Sequence, residues 1–178
     1  MQISHTTAPL PALVLAAAAL LAISPALARK KSPLGPSLEV QGKLVVKGVP
    51  LSFERAWLVR GPDTGDETKP AAYLILSNRD LGTPIAACKD IRCVLFDAVK
   101  EGAVLEPLDE RPGSFWLRVV APGLPHREEQ LSGRSWTASR DERGRLAGRL
   151  SFSYSNTRDE ADLEIDASLA KAFPVRGR

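Results

Sequence analysis

Histidine is nearly absent from this chain. Of its 178 residues two are histidines, His5 and His126, and only His126 lies beyond the leader-like first 28 residues. A zinc site built on two or three imidazoles is therefore excluded, and two cysteines cannot complete a tetrahedral set unless carboxylates join them. A Ser–His–Asp triad would have to use His126, and no serine sits in a G-x-S-x-G setting. No nucleotide-binding or metal signature appears elsewhere, so no cofactor is implied.

Charge is missing from residues 1–28, which hold no Lys, Arg, Asp or Glu. Within them, Leu10 to Ile23 is an uncharged apolar run of 14 residues, with Pro11 near its start. Crossing a membrane takes about 20 apolar residues, so this run is too short to span. Pro25 ends it, and Ala26-Leu27-Ala28 supplies the small-x-small pattern behind which a signal peptidase cuts. The expectation is a cleavable signal peptide over 1–28 and a periplasmic or extracellular protein with no transmembrane segment in the mature chain. A basic N-terminal segment (29–37), a single β-rich domain (38–170) and a basic C-terminal tail (171–178) follow.

A basic face for nucleic acid is also missing. The net charge is +3, but Arg29, Lys30, Lys31, Arg176 and Arg178 sit in the tails, and the body without them carries −2. Nucleic acid is accordingly not expected as a partner.

Cysteine is scarce, and its placement is informative. Cys88 and Cys93 are the only two. Spaced C-x4-C in a chain addressed to an oxidising compartment, they read as a structural disulfide rather than a C-x-x-C redox pair.

What the chain has in quantity is period-two alternation, the pattern of half-buried strands. Val40, Gly42, Leu44 and Val46 share one face, and the turn Lys47-Gly-Val-Pro50 leads into a second alternating run, Leu51 to Arg60. After the polar loop 61–70, Ala71 to Ser77 is apolar on both faces, as a strand covered on both sides would be. Further strands are expected over 104–108, 114–120, 134–139, 146–154 and 161–169. One helix is suggested by Thr83-Pro84 and by Ile85, Cys88, Arg92, Leu95, Phe96 and Val99 at three- and four-residue steps. A regular helix would hold Cys88 and Cys93 too far apart to bridge. A disulfide-closed turn followed by a short helix near Val94–Lys100 reconciles the two. The fold class expected is mainly β: an antiparallel sandwich or barrel of about eight strands with one short helix.

Three constellations could carry function. Asp162, Glu164 and Asp166 line one face of a strand, about 7 Å apart. They suit a cation or acid–base chemistry, or else cross-strand pairing with Arg145 and Arg149. Asp63, Asp66 and Glu67 invite a calcium reading but lack the ligand order of a calcium loop. The aromatic residues crowd onto strands, and alternation puts Arg55 on the face of Phe53 and Trp57, while Phe115 and Trp116 point opposite ways. Arg55, Trp57 and Trp116 are the candidate ligand-binding residues, with Arg55 orienting an anion beside the tryptophans.

The stretch Gly42-Lys-Leu-Val-Val-Lys-Gly-Val-Pro-Leu-Ser-Phe-Glu-Arg-Ala-Trp-Leu-Val-Arg60, followed by Leu74-Ile-Leu-Ser-Asn78 and Gly148-Arg-Leu150, resembles an uncharacterised family of exported bacterial all-β proteins with no assigned activity. The resemblance implies the fold and export, and no site residue follows from it. The function expected is a non-catalytic binding or interaction module for an unknown protein or small-molecule ligand. The alternatives are a hydrolase using His126 or the Asp162/Glu164/Asp166 row, and a purely structural envelope protein.

Overall fold

The computed structural model describes residues 40–108, 113–124, 127–131 and 135–177. The proposed signal peptide, the basic segment 29–37 and His126 lie outside them. The described residues are mainly β, with ten strands in one curled, mixed sheet and two short helical pieces.

The chain enters on β1 (Val40–Val46) and turns through Lys47 and Gly48 into β2 (Val49–Leu51). Both turn residues take positive φ, 52° and 80°. That is the two-residue hairpin geometry which matches the twist of the flanking strands. The alternating run 51–60 does not continue this hairpin. The chain breaks at 52–54 and leaves as β3 (Arg55–Pro62), which pairs antiparallel with β4 (Pro70–Ser77) and not with β1. After the helical segment come β5 (Gly102–Pro107), β6 (Phe115–Val120) and β7 (Arg127–Leu131), each antiparallel to the one before. Then β8 (Trp136–Glu142) and β9 (Arg145–Tyr154) form a hairpin, and β10 (Asp159–Ala172) closes the order.

β10 joins the two halves of the sheet. Its first ten residues pair antiparallel with β9, and six of them, Glu160 to Ile165, also pair antiparallel with β1. A register shift between Leu169 and Lys171 then bends it onto β3, where the pairing is parallel. The expectation of a mainly antiparallel sheet holds except at this pair. Leu169, the last of the alternating series Ala161, Leu163, Ile165 and Ala167, is exposed where β10 passes from β9 to β3.

The curl gives two cores, one on each face of β3–β6. The concave side is filled by Leu44, Leu58, Leu74, Leu105, Phe115, Trp136, Leu150 and Leu163 among others. The convex side carries Trp57, Val59, Tyr73, Ile75 and Val104, roofed by Leu81, Ile85, Cys88, Ile91, Val94, Leu95 and Val99. β4 is therefore apolar on both faces because both are covered, as its sequence requires. Fully burying a Leu or Ile side chain is worth about 1.5–3 kcal/mol, so the roof is held by its apolar underside.

The roof reconciles the cysteines with the helix signal. α1 (Gly82–Ala87) ends where Cys88 adopts extended backbone, and a π-helical turn follows at Cys93–Ala98. Cys88 and Cys93 are disulfide-bonded across the interruption, with Cα atoms 5.4 Å apart. Two helical pieces replace the one expected. Thr83 is not the N-cap; Leu81, two residues earlier, is, and Asp80 Oδ1 accepts from the Gly82 amide at 2.9 Å.

Candidate functional site

Arg55, Trp57 and Trp116 do share the convex face of the sheet, but the structure does not gather them into one groove. Trp57 is 2% exposed beneath the roof, and its indole N–H is buried without an acceptor. Trp57 aligns through Ile75 and Val104 with Arg118, whereas Trp116 lies opposite Glu106 in the next row. Three strand spacings, about 14 Å, separate the two tryptophan-bearing strands. Arg55 does not point into a barrel mouth. Its guanidinium lies 3.6 Å from Asp80, which precedes α1 and accepts from the Gly82 amide, so it tethers the roof. Trp116 is half-buried against the rim of the convex core.

Several polar groups on this face gave no signal in the sequence. Arg118 is buried, donates to the Leu95 carbonyl at the π-helical turn, and lies 4.7 Å above the exposed ring of Phe96. Tyr73 is fully buried and donates to the Pro62 carbonyl at 3.1 Å. Burial, reinforced by the negative charges of Glu106 and Asp63, pushes its hydroxyl well above the ordinary tyrosine range.

Two of the three acids in the row on β10, Asp162 and Asp166, are paired. Arg145 donates from both Nε and Nη2 to Asp166, and Arg149 Nε donates to Asp162 at 3.0 Å, on the exposed face of the β9–β10 ladder. Lys43 on β1 lies 3.0 Å from Glu160. These are cross-strand ion pairs of modest worth in solvent. The Arg145 hydrogen bond holds the Asp166 carboxyl below its ordinary range. A carboxylate depressed in the folded state stabilises at neutral pH, and that contribution is lost as pH falls through its lowered pKa. Arg145→Ala should return Asp166 to the ordinary carboxylate range and lessen the loss of stability in acid. A carbon-detected carboxyl titration checks the first, and denaturant melts between neutral and acid pH check the second.

The acids of the 61–70 loop are spent on its own backbone. Asp63 Oδ1 accepts from Gly65 and Asp66 amides, and Asp66 Oδ1 accepts from the Thr68 amide and hydroxyl. Among the described residues no group of three or more His, Cys, Asp or Glu side chains is placed to hold a metal ion.

A cleft of about 180 Å³ opens where β3, β4 and the end of β10 meet the β8–β9 hairpin. Pro70, Ala71, Ala72, Phe173 and Val175 line it together with its charged groups, Arg60 and Asp141, and the exposed lining is about equally polar and apolar. The walls are held in place. The Phe173 amide donates to the Arg60 carbonyl at 2.8 Å, the Arg176 amide donates to the Glu67 carbonyl, and the Arg176 guanidinium lies 3.0 Å from Glu67. The last strand and the segment after it thus build this wall, and the expected domain boundary at 170 falls inside β10. Arg60 Nη2 donates to Asp141 Oδ1 at 2.6 Å and to the Glu142 carbonyl at 2.8 Å, while its Nε is buried with no acceptor. An unsatisfied buried donor costs about 1–3 kcal/mol.

Sequence reasoning passed over this site because its two charged residues stand 81 positions apart and meet only through the curl of the sheet. The one available hint was Arg60 following the apolar run Ala56-Trp-Leu-Val59 of β3. The chain matches no family model, no curated protein and no solved structure.

Proposed function

We propose that this chain is an exported, non-catalytic module that binds a small ligand in the Arg60 cleft. The observation that carries the reading is the composition of that cleft: mixed polar and apolar lining around one guanidinium whose hydrogen-bonding edge is half used. A concave site that sets one fixed charged group among apolar side chains suits orienting a ligand. Export is supported by the N-terminal pattern, by the Cys88–Cys93 disulfide, and by charged side chains that are occupied in ion pairs or turns. Among the described residues no helix is long and apolar enough to cross a membrane.

The test is amide chemical-shift mapping of the purified protein against a library of small polar and apolar compounds. Saturable shifts are expected to cluster at Arg60, Gly61, Ala71, Ala72, Phe173 and Val175. Hits confined to the rim around Trp116 and Phe96 would move the site, and a library with no hits at the cleft would defeat the reading.

A further inference from the structure

Resting on the cleft as the binding site, we propose that it recognises a carboxylate carried on a small apolar body, which takes the place of Asp141 on Arg60. The same protein shows what a completed arginine–carboxylate pair looks like. Arg145 engages Asp166 side-on, with Nε donating to Oδ1 at 2.7 Å and Nη2 to Oδ2. This is the bidentate arrangement that makes such pairs strong and directional. Arg60 presents the same edge to Asp141, but only Nη2 is used, and Nε is buried without an acceptor. The Asp141 side chain is 54% exposed, at the outer end of β8. It leaves for solvent without uncovering the core.

Once Asp141 has swung away, the charge lining the cleft is that of Arg60 alone, and the remaining walls are Gly61, Pro70, Ala71, Ala72, Phe173 and Val175. A positive fork beside the side chains of Pro70, Ala71, Ala72, Phe173 and Val175 matches an anionic head on a small apolar body, the polar part of the lining being left to the head. Size sets the class further. An apolar cavity of about 150 Å³ accommodates benzene, and the cleft measures about 180 Å³. A short aliphatic or single-ring carboxylate is of that scale. Asp141 acts in the free protein as an internal competitor, so removing it and removing Arg60 change affinity in opposite directions.

The experiment titrates the purified protein with sodium benzoate and sodium pentanoate, and in parallel with pentylamine, pentanol and inorganic phosphate. The readouts are the Arg60 Nε–H resonance in ¹⁵N-correlated spectra and the binding isotherm. The two carboxylates are expected to bind saturably and to shift the Nε–H resonance downfield, the amine not at all. Asp141→Asn is expected to tighten benzoate binding by about tenfold, and Arg60→Lys, which has no fork, to weaken it by about tenfold or more. Val175→Asp lies beyond the last strand, leaves both halves of the sheet untouched, and should weaken carboxylates by returning a negative charge to the wall.

The Nε–H shift is read on the unmodified protein, so the test survives a variant that fails to fold. If pentanol or phosphate binds as tightly as the carboxylates, if Asp141→Asn weakens binding, or if Nε–H stays put at saturation, the carboxylate proposal falls while the cleft remains a binding site. If no probe moves any cleft resonance, both fall.

Discussion

Gly148→Val is expected to lower the unfolding free energy by about 3 kcal/mol or more, the largest loss from any single change considered. Gly148 sits on β9, opposite Ile165 of β10 and Ala138 of β8. The ring of Trp136 lies directly over it. A Cβ added at Gly148 would stand 2.5 Å from Trp136 Cζ2 and 2.6 Å from the Thr137 carbonyl oxygen. The ring would have to leave a concave core in which it is only 7% exposed, and no side-chain rotation relieves the contact with backbone. Domains of this size are stable by about 5–15 kcal/mol, so valine removes a large part of the margin. Urea unfolding followed by tryptophan fluorescence measures it, with Gly148→Ala expected to fall between valine and wild type. A valine variant within about 0.5 kcal/mol of wild type, the range of an ordinary surface change, would show that Trp136 does not pack on this strand.

The second large effect is expected from the disulfide. Replacing Cys88 and Cys93 by serine should cost about 2 kcal/mol through the entropy of a very short loop, or roughly 4–8 °C in Tm at this chain length. The effect is local in origin. The bridge closes the interruption between α1 and the π-helical turn, and Lys171 of β10 donates to the Ala86 and Cys88 carbonyls just there. Hydrogen exchange should therefore accelerate first over residues 85–99 and around Lys171, ahead of β4 and β5. Uniform acceleration across the sheet, or none, would mean that the roof does not depend on the bridge.

Much of the fold was legible where the chemistry is local. The alternation of β1, β9 and β10 put Leu44, Val46, Ala161, Leu163 and Ile165 in the core, and all are buried. The doubly apolar β4 announced that both its faces are covered. Asp162 and Asp166 of the acidic row on β10 pair with the arginines of the neighbouring strand that period two places on their side.

What was not legible depends on contacts distant in sequence. β7, Arg-Glu-Glu-Gln-Leu, reads as polar loop because its sequence carries no apolar alternation, and its place at the sheet edge is set by pairing with β6 alone. The departure of β3 from the first hairpin and its parallel pairing with β10 rest on a three-residue break and a bulge, neither of which leaves a periodic mark. Arg55 fits the apolar face of β3 once that face is seen to lie under a helical roof whose entry carries Asp80, two residues before α1.

The most direct test of the account is native mass spectrometry of the protein taken without reduction from its own host's envelope. The account predicts the mass of the oxidised chain beginning at Arg29, with a small co-purifying adduct that Arg60→Lys abolishes. An intact chain beginning at Met1, cysteines in the reduced state, or an adduct indifferent to Arg60 would contradict it.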